Sequence, residues 1–276
     1  MTPASDLSNI SKTIVLVGAG KMGAAMLQGW LARGLDPAKL IVQEPQPAGD
    51  IAALKARGVQ INPANKVTDA GAIVVAVKPQ VADAVASPLA AIAGGSTVVI
   101  SIMAGKTLGF LERALPQAAI VRAMPNTPAA IGRGITVAVP NTKVSVAQRD
   151  LAHRLLAATG EVEWIADEKL MDAVTAVSGS GPAYVFLLAE SLTRAGIAAG
   201  LPAELAAKLA RETVAGSGEL LHRSPLDPAT LRQNVTSPGG TTAAALEILM
   251  AAADGLDPLL AKAIAAAAKR SRDLAG

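Results

Sequence analysis

The chain has 276 residues, of which 51% are hydrophobic, 17% charged and only 2% aromatic, with a net charge of +3. Such a chain can build one large or two ordinary domains around Ala, Val, Leu and Ile, and it is too apolar to be disordered. The weak positive charge, without a dense Lys/Arg stripe, argues against a nucleic-acid partner, and the absence of cysteine excludes disulfides, thiolate catalysis and cysteine metal sites.

The N-terminal stretch "MTPASDLSNISK" lacks the basic start and apolar run of a signal peptide. No apolar stretch approaches the roughly 20 residues of a membrane span, so a cytoplasmic protein with no membrane partner is expected. From residue 12 onward, short apolar runs alternate with helical stretches. The strand candidates are "KTIVLV" (12–17), "KLIVQ" (39–43), "AIVVAV" (72–77), "STVVIS" (96–101), "AAIVRA" (118–123) and "GITVAV" (134–139). They are β-branched and do not alternate with polar residues, as strands covered on both faces should be. Helices are predicted near 21–33, 49–57, 80–92 and 106–115. Repeated strand–helix–strand order implies a doubly wound parallel sheet.

The first strand runs into "GAGKMG", with Gly18, Gly20 and Gly23 at G-x-G-x-x-G spacing. Such spacing alone is also an ordinary glycine turn. Behind a strand, ahead of a helix and at the start of the chain, it points to a Rossmann-type dinucleotide site, with helix N-terminal amides aimed at the phosphates. The residue that discriminates NAD from NADP is expected about 20 positions further on, at the end of the second strand. Glu44 stands there in "VQEPQP", either as a ribose-binding acid that repels a 2′-phosphate or as a solvated loop acid. Lys78 in "AVKPQ" ends the third strand and is expected at the cofactor crevice, or else facing solvent. In "MPNTP", two prolines fix an extended loop that can present Asn126 and Thr127 to the same crevice, or form a simple turn.

After "EVEWI" (161–165) strand signals stop, and helices are predicted near 167–177, 182–199, 202–222, 241–253 and 257–273. Their Ala and Leu residues occupy more than one face, which suits burial against a second subunit. The chain is therefore read as α/β: an N-terminal Rossmann-type doubly wound parallel sheet over residues 1–166, followed by an all-α dimerisation domain over 167–276. His222 ends a long helix as a C-terminal cation, and His153 lies in another segment, so no metal is expected. One late loop stands out. "VTSPGGTTAAALEILM" (235–250) places two glycines and four hydroxyls ahead of an apolar helix, where a single capping hydroxyl would suffice.

Taken in order, "GAGKMG", "VKPQ", "MPNTP", "DAVTAVSGSGPAYVF" and "LRQNVTSPGGTTAAAL" resemble the pyrroline-5-carboxylate reductases over nearly the whole chain. The resemblance implies reduction of Δ1-pyrroline-5-carboxylate to L-proline with NADPH or NADH, the last step of proline biosynthesis. It also implies a homodimer, assembled in many family members into a decamer. By resemblance, Gly18, Ala19, Gly20, Lys21 and Met22 form the phosphate loop. Asn65 contacts the adenosine end, while Ala76, Val77, Lys78 and Pro79, with Ile102, Met103 and Ala104, line the cofactor. Asn234 lies on the nicotinamide side, and Glu168 is an acid close to the substrate. Glu44 falls where family members often carry Ser or Asn, sometimes with Arg next to it, and this departure speaks against a strong NADPH preference.

The late loop then becomes the substrate cradle. Ser237, Gly239, Gly240 and Thr241 hold the carboxylate, and Thr242 contacts the substrate and can bond the ring nitrogen. Thr242, Glu168 and Lys78 are the candidates for catalytic roles. A related imine reductase, a β-hydroxyacid dehydrogenase or a non-catalytic NAD(P)-binding sensor are the alternatives. The absence of Lys from "DAVTAVSGSGPAYVFLLAE" argues against the dehydrogenase, and the intact loop against the sensor.

Overall fold

The computed structural model describes residues 6–64, 67 and 69–275. Its strands are β1 (Thr13–Val17), β2 (Leu40–Gln43), β3 (Gln60–Ile61), β4 (Ala70–Val75), β5 (Val98–Ser101), β6 (Ala119–Met124), β7 (Gly134–Pro140) and β8 (Gly160–Trp164). The helices of the same region are α1 (Lys21–Ala32), α2 (Gly49–Ala53), α3 (Ala82–Leu89), α4 (Leu108–Ala114), α5 (Val146–Ala157) and α6 (Met171–Val174). Then follow α7 (Gly181–Ala198), α8 (Ala203–Arg223), α9 (Pro228–Asn234), α10 (Thr241–Leu249) and α11 (Leu256–Ala275).

The strands form one sheet in the order β3-β2-β1-β4-β5-β6-β7-β8. Neighbours from β3 to β6 are parallel, with Leu16 paired to both Val42 and Val74. Strand order reverses between β1 and β4, which opens a crevice at their carboxyl ends. The last two strands depart from the expected all-parallel sheet: β7 runs antiparallel to β6, and β8 follows β7. The reason is the connection. Only a 3-10 turn, Thr127–Ile131, separates β6 from β7, too little for the crossover a parallel pair needs.

Both faces of the sheet are covered, which accounts for the continuous apolar strands. Ile14 and Leu16 pack with Met26, Leu27, Trp30 and Leu155 on one face, whereas Val15 and Val17 pack with Ile73, Val75, Leu111 and Leu115 on the other. The first face is pinned by the Trp30 indole N–H, which donates to the Leu155 carbonyl at 2.8 Å.

Three elements are absent from the sequence-based assignment. The strand β3 is two residues long. The helix α5 opens on a capping box in which Ser145 accepts from the Gln148 amide and Gln148 from the Ser145 amide. The helix α9 is capped by Asp227, with Pro228 in its first turn. The helix expected near 167–177 is instead a 3-10 turn (Glu168–Leu170), the short α6 and a π-helical turn (Thr175–Gly179).

The chain divides into two compact units, residues 1–179 with 268–276, and residues 180–267. Within the first, the last turn of α11 is held by Ser271, whose hydroxyl donates to Asp172 at 2.6 Å. Within the second, α7 and α8 pack so closely that a Cβ on Gly196 would lie 3.3 Å from that of Ala206. Among the described residues, no helix is long and apolar enough to cross a membrane.

Candidate functional site

The glycine turn after β1 is shaped by its neighbours. Gly18 has φ +92°, and a Cβ there would meet the Ala76 carbonyl oxygen at 2.8 Å. This backbone favours glycine, and the packing tolerates nothing larger. Gly23 allows α1 to rest on the turn, with the Gly18 carbonyl 2.3 Å from where its Cβ would be. Gly20 differs from both: a Cβ there would meet nothing within 4 Å. It is the N-cap of α1, makes no side-chain cap and has no acid in the following turn. The first amides of α1 are thus left for an outside acceptor.

A cleft of about 570 Å³ opens beside this turn. Val17, Gly18 and Gly20 form one side, Gln43, Glu44, Pro45 and Asn62 another, and Ala76, Val77 and Lys78 the end of β4. Val81, Val85 and Leu89 make the apolar wall. An open phosphate turn, an acid at the end of β2 and an apolar slot together fit a dinucleotide: pyrophosphate, ribose and base in that order.

Glu44 is not a loose loop acid. Its Oε2 accepts from the Ala19 amide at 2.9 Å and its Oε1 from the Gln46 amide at 3.1 Å. Asn62 grips its backbone from both sides: Oδ1 accepts from the Glu44 amide at 2.9 Å, and Nδ2 donates to the Glu44 carbonyl at 2.8 Å. Asn62 sits at φ +48°, the only described non-glycine residue with a positive φ.

The structure brings together in this cleft Gly18, Gly20, Glu44, Ala76, Val77 and Lys78 of the expected cofactor residues. Ala19 enters through its amide, and Lys21 and Met22 start α1. Pro79 opens a 3-10 turn whose N-cap is Lys78. Ile102 follows β5, its amide donating to Val75 at 3.0 Å, with Met103 buried and Ala104 exposed beyond it. Asn65 lies outside the described residues. Asn126 serves the turn: its Oδ1 accepts from the Ile135 amide at 2.9 Å, which closes the β6–β7 corner.

Glu168 is tied into the first unit. Its Oε1 accepts from Arg122 at 2.6 Å and from the Leu108 amide, the first of α4, at 2.7 Å. The Arg122 side chain is 8% exposed and that of Glu168 27%. Arg122 was not singled out by sequence, because nothing marks an Arg inside "AAIVRA" as buried until its acid is found. Asn62 was missed as well, although an Asn directly before a proline is a turn signal.

The late loop belongs to the second unit. Asn234 ends α9, and the Thr236 hydroxyl donates back to the Arg232 carbonyl at 2.7 Å. The Gly240 amide closes a turn on the Ser237 carbonyl at 3.0 Å, and Gly239 takes φ +67°. The N-cap of α10 is Gly240, which has no side chain to offer. None of the four hydroxyls therefore caps this helix. Its first amides, flanked by Thr241 and Thr242, are presented as a backbone anion site.

The second half of the chain matches the family model of pyrroline-5-carboxylate reductase dimerisation over residues 168–274. Residues 13–105 match the model of the coenzyme F420-dependent NADP oxidoreductases. The pyrroline-5-carboxylate reductase of Pseudomonas aeruginosa is 41% identical over 265 residues, covering 95% of this chain and 96% of that protein. Among solved structures, a pyrroline-5-carboxylate reductase from Coxiella burnetii superimposes with a TM-score of 0.89 at 34% identity, covering 96% of this chain and 99% of that one. The Plasmodium falciparum pyrroline carboxylate reductase with NADP bound does so with a TM-score of 0.79 at 29% identity, with coverage of 96% and 99%.

Proposed function

Because the chain belongs to the pyrroline-5-carboxylate reductase family, we propose that it reduces the C=N bond of Δ1-pyrroline-5-carboxylate to give L-proline, the last step of proline biosynthesis. The observation that carries this reading is the start of α10: uncapped amides behind two glycines, with hydroxyls on either side, suit a small carboxylate and need no basic side chain.

A reduced nicotinamide from NADPH or NADH supplies the hydride, which adds to the imine carbon while the ring nitrogen gains a proton. The chain's own work is binding and orientation. The Gly18–Met22 turn and the first amides of α1 hold the pyrophosphate, and Glu44 the adenosine ribose; Asn65 is assigned to the adenosine end on the family resemblance alone. Ala76–Pro79 and Ile102–Ala104 line the cofactor, with Lys78 as the cation at the strand end. Asn234 orients the nicotinamide side. Ser237, Gly239, Gly240 and Thr241 take the carboxylate, and Thr242 hydrogen-bonds the ring nitrogen. Glu168 contributes through the bridge it makes between Arg122 and α4.

The C-terminal half carries a dimerisation domain. We assign the cofactor-binding half to residues 1–166 and the dimerisation and substrate half to 167–276, on a family match that begins at 168; the compact units divide later, after residue 179, with 268–276 returning to the first. Exposed Val185, Phe186, Leu187 and Leu188 on α7 supply apolar surface for a partner copy. Ile248, Leu249 and Leu259 leave more of it for further assembly toward a decamer. A cytoplasmic place of action suits a chain without cysteine.

The test is loss of reduced-nicotinamide absorbance when pyrroline-5-carboxylate is added with NADH or NADPH. Consumption of either supports the reading. No turnover with either, in folded and dimeric protein, overturns it.

A further inference from the structure

We propose that this chain selects NADH over NADPH, with Glu44 as the discriminating residue and Asn62 as the residue that positions it. The proposal rests on the reading of the cleft as a dinucleotide site and goes beyond it, because a dinucleotide cleft can admit either cofactor.

A carboxylate at the end of β2 discriminates only if it cannot move aside. A free glutamate could swing into solvent and leave room for a 2′-phosphate. Glu44 is held at four points. Its two oxygens accept from the Ala19 and Gln46 amides at 2.9 and 3.1 Å. Its backbone is bracketed by two hydrogen bonds with Asn62, the Glu44 amide donating to Oδ1 at 2.9 Å and Nδ2 donating to the Glu44 carbonyl at 2.8 Å. The bond to Ala19 matters most, since Ala19 lies inside the phosphate turn. The acid is thereby fixed between the expected positions of pyrophosphate and ribose.

An ionised carboxylate has about four lone-pair directions. Two are taken by the amides, and the rest can accept from the 2′- and 3′-hydroxyls of a ribose. A 2′-phosphate has nothing to donate and brings a charge of about −1.5 to −2. Placed against a fixed carboxylate in a half-buried cleft, it is repelled. The usual remedy is an arginine following the second strand. Here Pro45, Gln46 and Pro47 follow Glu44, and Lys55 and Arg57, on the 3-10 turn Leu54–Arg57, do not line the cleft. Among the described lining residues the one cation is Lys78, beyond β4 instead of β2.

Asn62 explains how the clamp is built. Its φ of +48° lies in the left-handed region, which Asn tolerates better than most residues. That backbone turns the side-chain amide toward Glu44, so that one residue donates to the carbonyl and accepts from the amide of another. Asn62→Gly keeps the backbone conformation and removes only the grip.

The test measures dissociation constants for NADH and NADPH by fluorescence titration, in the wild-type protein, Glu44→Gln and Asn62→Gly, with no substrate present. The wild-type protein should bind NADH at least about tenfold more tightly than NADPH. Glu44→Gln keeps an acceptor for Ala19 and removes the charge, and it should lower that ratio about tenfold. Asn62→Gly should lower it too, by a smaller factor. A merely structural role for Asn62 would weaken both nucleotides together and leave the ratio in place.

A wild-type ratio within about threefold of unity overturns the proposal, as does a ratio that Glu44→Gln leaves unchanged. Binding of neither nucleotide overturns it together with the dinucleotide reading. Selective NADH binding without turnover of pyrroline-5-carboxylate supports the proposal and counts only against the reductase reading.

Discussion

Arg122 and Glu168 are 46 positions apart in sequence, yet Nη1 and Oε1 lie 2.6 Å apart, and the same oxygen accepts the Leu108 amide. One carboxylate thus joins the sixth strand, the start of α4 and the turn leading into α6. Arg122 has an 8% exposed side chain and no other acid is bonded to it among the described contacts. Glu168→Gln should therefore leave a nearly buried guanidinium without its counter-charge, at a cost of about 3 kcal/mol, reduced toward about 2 by the partial exposure of Glu168. Urea unfolding measures it. Arg122→Met should cost less than Glu168→Gln, because it leaves the more exposed partner behind. Equal stability of Glu168→Gln and the wild-type protein would remove the bridge from the account of this region.

Gly18 and Gly20 are two residues apart in one motif and should fail in different ways. Gly18→Ala forces a Cβ into the Ala76 carbonyl at φ +92°. The backbone alone costs about 1–2 kcal/mol, and the clash adds to it, so the fold should be destabilised. Gly20→Ala meets nothing within 4 Å and keeps an extended N-cap, so its stability should change by less than about 1 kcal/mol. Its methyl instead enters the space assigned to the pyrophosphate, and dinucleotide affinity should fall about tenfold or more. Thermal unfolding and nucleotide titration on both variants separate the effects. Unchanged affinity in Gly20→Ala would move the phosphates elsewhere.

Much of this arrangement was legible in the sequence, because the signals were local. Strand β1, the glycine turn and α1 follow one another without a gap, and Glu44 lies at the distance the fold demands. What could not be read depends on pairing at a distance. Arg122 looks like a polar interruption of a strand until Glu168 is placed beside it. The reversal of β7 follows from a short connection whose two prolines mark a turn, while its closure by Asn126 on the Ile135 amide shows only in the fold. The Asn62–Pro63 pair marks a turn, but the hold of Asn62 on Glu44 shows only once the two are placed together. The start of α9, by contrast, is marked locally by Asp227 and Pro228, a cap followed by a first-turn proline.

Asp227 supplies a pH dependence. The Thr230 amide, then the Thr230 hydroxyl, hold its carboxyl below the ordinary 3.8 against an opposing desolvation, and the Ala229 amide adds to them. A folded-state value below the unfolded one contributes stability that is fully present above about pH 3.8 and is lost as the pH falls through the folded value. Asp227→Ala should lower the Tm at neutral pH by removing the cap of α9, the helix that delivers Asn234 and the loop after it. The difference in Tm from the wild-type protein should narrow on acidification below that point. A difference that stays constant through the acid range would show that the carboxylate charge plays no part in the cap.

Thr242 is the second residue of α10, whose N-cap Gly240 contributes no side chain. If Thr242 served only the helix, alanine would be the better residue, since threonine is the weaker helix former by about 0.5 kcal/mol. Thr242→Ala should then hold or raise the Tm. If instead the hydroxyl bonds the ring nitrogen of the imine, its loss should lower kcat/KM for pyrroline-5-carboxylate about 10- to 100-fold, the range for a hydrogen bond to a charged group. Stability and catalysis should therefore move in opposite directions, which neither a folding defect nor a helix cap can produce. Thr242→Ser restores a hydroxyl on the same Cβ and should recover most of kcat/KM, whereas Thr242→Val, which matches the shape without the hydroxyl, should not. Cofactor dissociation constants should be alike across the series, because Thr242 is assigned to the substrate and every residue assigned to the cofactor is left unchanged. A Thr242→Val protein with wild-type kcat/KM would take Thr242 out of the substrate site.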